Sequence, residues 1–448
     1  MISSDTIVAC ATPYGIGGIA VVRISGESAI EIAQKVSKKK SSLKNRNASF
    51  VSLYSENGDA FDAAVMTAFH APNSYTGENV VEISCHGSPT IVNKLINICV
   101  SLRARIAEPG EFTRRAFING KLDLVQVEAV SALIHSNSEK SSLINQRVLS
   151  GALSIKLNEV KNRLVNALSF VEFELDISEE DLVEEPIKKI LYNAKSAWRG
   201  INKLSSSYKE GRLINRGASV VITGRTNVGK STLLNALLEE NKAIVSETPG
   251  TTRDSIDAQL MYDGISITLT DTAGIRETRD SIEKEGVLRA INKAREADLV
   301  IHVLDANEHN HPKNVYRKGS VITVLNKIDL LSATDIKSLN KYFKNAVNVS
   351  ALTRDGISNL KKEIKKALHT SDVFSDEVYL ITQRQHNITN TSLRSINNAI
   401  DKLKISSPPL ELVSVDLREA LSAIDQMLGK TTSDDILNNI FSRFCVGK

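Results

Sequence analysis

The chain has 448 residues, so at ~150 residues per domain it holds roughly three domains, each able to bury its own core. Hydrophobic residues make up 42%, charged residues 24% and proline only 9 positions, which excludes a disordered or fibrous chain. The formal charge of +4 is too small to mark a nucleic-acid binder by itself, and 4 cysteines without a CxxC pair or a Cys/His cluster argue against a disulfide framework or structural zinc.

The N-terminal stretch MISSDTIVACATPYG has no basic segment followed by an apolar run, and no stretch approaches ~18 consecutive apolar residues. The expectation is a cytoplasmic protein without a membrane span. Residues 1–118 alternate β-rich runs at 19–24, 63–69 and 80–84 with Gly, Pro and Asn turns, and one helical run spans 90–102, which predicts an α+β domain. Gly15-x-Gly17-x-x-Ala20 has the look of a dinucleotide fingerprint, but it runs into the strand IAVVRIS instead of opening a helix and is rejected. From 122 to 208 apolar residues recur at helical spacing, as in Leu157, Val160, Leu164, Leu168 and Val171. The strands SVVIT, ISITLT, DLVIHVLD and VITVLN then alternate with helices, the rhythm of a parallel sheet covered by helices. Helical periodicity returns beyond 375, broken near Gly429. The simplest architecture is a helical domain of two segments, 119–215 and 373–448, with an α/β domain inserted at 216–372. The basic stretch 35–46 and the acidic stretch 172–185 read as solvated surfaces.

Gly224-Arg225-Thr226-Asn227-Val228-Gly229-Lys230-Ser231 matches GxxxxGK[ST], follows the strand 218–223 and opens the helix STLLNALL, beginning with Ser231 and Thr232. This is a P-loop: successive N–H groups face phosphate oxygens, Lys230 bridges the β and γ phosphates, and the Ser231 hydroxyl ligates Mg²⁺. Asp271-Thr272-Ala273-Gly274 follows the strand 265–270 and puts a carboxylate near Mg²⁺ and a Gly N–H near the γ-phosphate. Asn326-Lys327-Ile328-Asp329 follows the strand 321–325, where Asp329 can accept from guanine N1–H and the 2-amino group, both absent from adenine. Ser350-Ala351-Leu352 can offer a backbone N–H to guanine O6. The order of the four motifs predicts a GTP-binding domain.

The position where a Ras-type site carries its water-orienting Gln holds Ile275, which cannot hydrogen-bond. Another group must orient water, and composition leaves Glu277, Asp280 and Glu283 all open. The loop 243–254, with Thr251 and Thr252 after Pro249-Gly250, is placed like a first switch whose Thr completes the Mg²⁺ shell.

The P-loop with Asn227, the run GTTRD at 250–254, the terminal FCVGK and the N-terminal motifs TIVACATPYGIGGIAVVRISG, SYTGENVVEISCHGSP and GEFTRRAFINGKLDL together resemble the MnmE (TrmE) family of bacterial tRNA-modification GTPases. The resemblance spans essentially the whole chain. It implies an N-terminal folate-binding and dimerisation domain, a helical domain from two segments and an inserted Ras-like P-loop G domain. It also implies potassium-dependent GTP hydrolysis without an arginine finger, in which the G domains of a homodimer approach each other and K⁺ takes the place of the finger's charge. By that resemblance Asn227, Ser246, Thr248 and Thr251 are K⁺ ligands, Ser231 and Thr252 hold Mg²⁺, and Glu283 is the water-orienting glutamate. GTP contacts extend to Val228, Gly229, Thr232 and Ser246, and folate contacts fall on Arg23, Glu82, Lys121 and Lys448, with a role in the chemistry for Cys445. A carboxylate such as Glu82 suits a pterin edge, and Arg23, Lys121 or Lys448 suit a folate's glutamate carboxylates. Thr226 stands where the family usually has Pro, and Cys-His-Gly-Ser at 85–88 replaces a Gly-Gly ending.

The implied activity is modification of the wobble uridine of certain tRNAs at C5, forming carboxymethylaminomethyluridine. The one-carbon donor is 5-formyl- or methylene-tetrahydrofolate, and FAD is carried by the flavoprotein partner MnmG in a heterotetramer. The rival reading is a ribosome-assembly or signalling GTPase switch, which explains the nucleotide motifs equally well but not Arg23, Glu82, Lys121 and FCVGK.

Overall fold

A computed structural model describes residues 5–176, 184–239, 256–262, 264–271, 294–308, 320–368, 377–442 and 444–448. Packing gathers Met1–Ser131, Val148–Trp198 and Thr391–Lys448 into one unit, and Ala132–Arg147 and Arg199–Asn390 into another.

The first unit is built on a sheet of β1 (Thr6–Cys10), β2 (Gly17–Ser25), β3 (Ala48–Tyr54), β4 (Ala60–Phe69), β5 (Val80–Gly87) and β6 (Ala104–Ile106), in spatial order β3-β4-β5-β2-β1-β6. Neighbours are antiparallel except β1 with β6. The two-residue side-chain period assigns the faces. Ala20, Val22 and Ile24 on β2 and Val81, Ile83 and Cys85 on β5 are buried in one core with the helices Ala29–Ser37 and Pro89–Ser101. Arg23 and Glu82, one residue out of phase, lie on the opposite face as direct cross-strand partners. The second helix starts where Pro89 sits in its first turn, after the extended Ser88, a position at which a missing N–H costs nothing. The runs expected at 19–24, 63–69 and 80–84 fall inside β2, β4 and β5, and the GIGGIA segment enters a strand.

The same unit holds the helix Leu124–Ile134 as far as Ser131 and, whole, the helices Ala152–Asp176 and Leu410–Leu428. Leu153, Leu157, Val160, Leu164, Leu168 and Val171 make one buried stripe on the second, and Val413, Leu417, Ala420, Ile424 and Met427 make another on the third. The two helices pack together, joined at their rims by Lys161 with Asp425 and by Arg418 with Glu172 at 2.7 Å. Residues from either side of the inserted α/β segment therefore complete one helical layer. Each fully buried Leu or Val there contributes ~1.5–3 kcal/mol. The helix Leu410–Leu428 stops at Gly429 in the left-handed conformation, and Asp434–Phe441 follows, which is the expected break.

The second unit carries β7 (Ala218–Thr223), β8 (Ile256–Tyr262), β9 (Ile265–Asp271), β10 (Leu299–Asp305), β11 (Ser320–Asn326) and β12 (Val347–Asn348), ordered β12-β11-β10-β7-β9-β8. All pairs are parallel except β8 with β9. Helices Lys230–Glu239 and Ile357–Ala367 contribute Leu233, Leu237, Leu360 and Ile364 to the core, beside Ile222, Ile301, Val303 and Val324 of the sheet. On the other face Val221 and Val300 pack with Ala294. Burial on both faces is why these strands read as continuous apolar runs.

Candidate functional site

In an α/β sheet of this kind ligands bind outside the carboxyl ends of the strands, and the nucleotide motifs gather there. The P-loop leaves the end of β7, and β9 pairs with β7 so that Asp271 lies opposite Ile222, two residues before Gly224. Asn227 adopts φ 63 and Gly229 φ 91, and the alternation turns consecutive N–H groups toward one concavity. Gly229 has no room for a side chain: a Cβ there would lie 2.4 Å from Asn326 Nδ2. Lys230 Nζ donates to the carbonyls of Gly224 at 3.0 Å and Arg225 at 2.7 Å, so two of the three ammonium donors hold it over the loop. Asn227, Ser231 and Thr232 are exposed on this surface, and Val228 is buried beneath it.

Asn326, 2% exposed at the end of β11, donates through Nδ2 to Val228 O at 2.8 Å and accepts the Ala351 N–H at Oδ1 at 3.0 Å. One side-chain amide thus ties the phosphate loop to the loop after β12. The Ala351 N–H is engaged inside the protein, so contact with guanine O6 requires that this donor be shared. Ser350 Oγ donates to Asp329 Oδ1 at 2.6 Å and accepts the Thr353 N–H at 3.2 Å, which orients the exposed Asp329 carboxylate. Lys327, at φ 66, pairs through Nζ with Asp305 Oδ2 at 2.6 Å. The motifs do not point to Asp305; its signal is its register, since it ends β10 directly opposite Asn326.

Ser246, Thr248, Thr251, Thr252, Thr272, Ala273, Gly274, Ile275, Glu277, Asp280 and Glu283 lie outside the described residues.

A second constellation forms in the first unit. Arg23 Nε and Nη2 both donate to Glu82 Oε1, at 2.9 and 2.8 Å, and Arg23 Nη1 donates to Gly447 O at 3.4 Å. Among the described residues no donor reaches Glu82 Oε2, which suits it to N–H groups of a ligand's edge. The guanidinium also lies over the rings of Tyr75 at 5.3 Å and Phe112 at 5.6 Å. Neither ring is among the sequence-derived candidates, although Tyr75 stands inside the quoted SYTGENVVEIS motif. Burial raises the Tyr75 pKa, and its hydroxyl pairs with Thr113 Oγ1 at 2.9 Å, which fixes the ring.

The segment 444–448 reaches this place because Phe444 packs with Leu124, Val127 and Phe441, and Gly110 N–H meets Cys445 O at 3.4 Å. Gly447 then lies so close to β1 that a Cβ would be 2.1 Å from Cys10 O, and its φ is 98. Lys448 is half-buried beside it and Cys445 is exposed. Lys121 is exposed and lies against Gly77, where a Cβ would come within 3.5 Å of its Cγ and Cε. Arg23 and Lys121 thus flank the segment 75–77. His86, in the departing CHGS run, pairs through Nδ1 with Asp62 Oδ1 at 2.5 Å at the sheet's end.

Two family models match the chain. Residues 6–121 match the family model of the GTP-binding protein TrmE N-terminus, and residues 124–445 match the MnmE helical domain. A tRNA modification GTPase MnmE of Fervidobacterium nodosum is 38% identical over 100% of this chain and 98% of its own length. That of Aquifex aeolicus is 38% identical over 99% of this chain and 100% of its own. The FeoB G-domain structure from Methanococcus jannaschii covers 34% of this chain and 98% of its own, at 27% identity and a TM-score of 0.26. Among the described residues no helix is long and apolar enough to cross a membrane. Two family models that together run from residue 6 to 445, and relatives aligned end to end, place this chain in the MnmE family of tRNA modification GTPases.

Proposed function

We propose that this chain is a cytoplasmic, potassium-dependent GTPase that modifies the wobble uridine of certain tRNAs at C5, forming carboxymethylaminomethyluridine. It works as a homodimer in a heterotetramer with the flavoprotein MnmG, whose FAD serves the redox chemistry. Its parts are a folate-binding and dimerisation domain at 1–118, a helical domain at 119–215 and 373–448, and a G domain at 216–372. The observation that carries this reading is that one chain joins a guanine-type P-loop domain to a separate cradle in which Arg23, bound to Glu82, reaches Gly447.

In the G domain the P-loop N–H groups and Lys230 hold the phosphates, and Asp329, oriented by Ser350, reads the base. Ser231 and Thr252 would hold Mg²⁺, and Asn227, Ser246, Thr248 and Thr251 would hold K⁺, the two cations supplying positive charge where negative charge develops. Glu283 orients the attacking water. In the cradle Glu82 Oε2 reads N–H donors on a pterin edge, and Arg23, Lys121 and Lys448 offer cations to the glutamate carboxylates of 5-formyl- or methylene-tetrahydrofolate, which would supply the one-carbon unit. Cys445, within the segment 444–448, is exposed and would serve as a nucleophile there.

Depleting the protein in its host and measuring wobble nucleosides in total tRNA by mass spectrometry tests the reading. The C5-substituted uridine should disappear and return with wild type but not with Cys445→Ser. Unchanged nucleosides on depletion would leave a GTPase switch as the better description.

A further inference from the structure

Residues 35–46 carry six cations, Lys35, Lys38, Lys39, Lys40, Lys44 and Arg46, and no acid, against an excess of +4 for the entire chain. The remainder of the chain is therefore slightly net negative, whereas this run is basic without an acid of its own. The segment is also held in place. The Lys39 N–H bonds to Gln34 O at 3.1 Å, and Gln34 Nε2 bonds to Ser41 O at 3.1 Å. Leu43 is 4% exposed in the sheet's core, and its carbonyl accepts from His70 Nε2 at 2.9 Å. The Arg46 N–H reaches Ala68 O at 2.7 Å, and Asn45 Oδ1 accepts the His70 N–H at 3.0 Å.

Two of the cations are engaged nearby. Lys35 pairs with Glu31 at 2.6 Å, and Lys38 lies over the Tyr54 ring and donates to Gly58 O at 3.1 Å, beside the turn that carries Glu56 and Asp59. Lys39, Lys40, Lys44 and Arg46 have no carboxylate within ion-pair distance among the described residues, and Lys40, Lys44 and Arg46 are exposed. Four cations without a carboxylate partner on one anchored loop, Arg46 donating only to Asn73 O at 3.3 Å, leave a local positive field open to a polyanion.

We infer that residues 35–46, the last turn of the helix Ala29–Ser37 and the loop that follows it, are a docking surface for the phosphate backbone of tRNA, an inference that rests on the tRNA reading above. A loop already fixed in shape gains from counterion release without an ordering penalty. It holds no aromatic side chain, so it grips the backbone and reads no base. A lipid surface suits it poorly, because its apolar residues Val36 and Leu43 are both buried and leave nothing to insert.

The test is binding of a fluorescent unmodified tRNA to the full-length protein between about 50 and about 200 mM salt, for wild type and for Lys39→Gln/Lys40→Gln/Lys44→Gln/Arg46→Gln. The variant should bind about tenfold more weakly at the lower salt, with the slope of log affinity against log salt shallower by roughly 2–3, while GTP turnover is unchanged. Should the combined variant fold poorly, Lys40→Gln and Lys44→Gln taken singly should each lower the slope by roughly 0.7–0.9. Wild-type binding with an unaltered slope in the variants overturns the loop assignment alone, whereas absent wild-type binding overturns the tRNA reading with it. Loss of binding to phosphatidylserine vesicles with tRNA binding intact also overturns it.

Discussion

Asn326 holds Val228 from across the sheet: its side-chain Nδ2 donates to the Val228 carbonyl at 2.8 Å while its Oδ1 takes the Ala351 N–H at 3.0 Å. The phosphate loop and the base loop are thereby set against one another by a single buried amide. Asn326→Ala leaves both partners unsatisfied, and should cost roughly 1–3 kcal/mol of stability and more than tenfold in GTP affinity. Asn326→Asp keeps the acceptor and loses the donor, so it should weaken the phosphate side specifically. Urea unfolding and nucleotide titration check both; wild-type affinity in Asn326→Ala would mean that the two loops are positioned independently.

Gly447 is the point at which the terminal segment can approach β1. Gly447→Ala puts a methyl group 2.1 Å from Cys10 O at φ 98, so the segment must lift and release Arg23 Nη1. The expected result is at least tenfold weaker binding of 5-formyltetrahydrofolate with GTP turnover unaltered. Equal folate binding would detach residues 444–448 from that site.

GTP turnover should rise several-fold when K⁺ replaces Na⁺, and Asn227→Ala should erase the difference. Glu283→Ala should lower turnover at least tenfold with nucleotide affinity nearly intact, the pattern of a group acting on the transition state. Salt-swap kinetics and single-turnover assays decide. Equal rates in the two salts remove the ion site, and lost affinity in the second variant makes Glu283 a structural residue.

Burial pushes the Cys85 thiol up to about 11 and the Cys99 thiol up to about 12, so neither is a thiolate near neutral pH. Cys445 is exposed and Cys10 half-buried. A limiting alkylating reagent should therefore label Cys445 first, followed by peptide mass spectrometry. Early modification of Cys99 would contradict the burial on which the prediction stands.

Glu111 is pushed up by burial, but donors from Arg105, Glu108 and Arg115 outweigh this and hold its carboxyl below the ordinary glutamate value of 4.5. Folding therefore gains from the ionised form above about 4.5, and loses that gain as pH falls through the depressed folded-state value. Glu111→Gln should be roughly 2–3 kcal/mol less stable at neutral pH and should lose less than wild type on acidification. Urea midpoints at both pH values measure the difference; parallel acid losses would show that other carboxylates dominate.

Much of this was legible in the chain because the relevant signals are local. β7 and β10 are buried on both faces, so SVVIT and DLVIHVLD appear as apolar runs. β8, an antiparallel edge strand reading IDAQLMY, does not. In the helix Gln383–Lys402 the polar Gln385, Thr389, Ser392 and Ser395 share the buried stripe with Ile388 and Ile396, a burial that apolar spacing alone does not reveal. At the sites, glycine and lysine spacing announces a phosphate loop, whereas Asp305 under Lys327 and the Tyr75 and Phe112 rings beside Arg23 depend on strand register and on folding across the sheet. Local pattern carries no information about such distant partners.

The bond from Arg23 to Gly447 spans 424 positions of sequence. At ~5–20 residues per second of synthesis, the arginine waits roughly 20–85 s for the carbonyl that will hold it. During that interval the N-terminal sheet must stand with β1 uncovered at Cys10 and with the guanidinium relying on Glu82 and the Tyr75 and Phe112 rings. The cradle is therefore complete only once residue 447 has been made, and a nascent chain stalled before that point cannot present it.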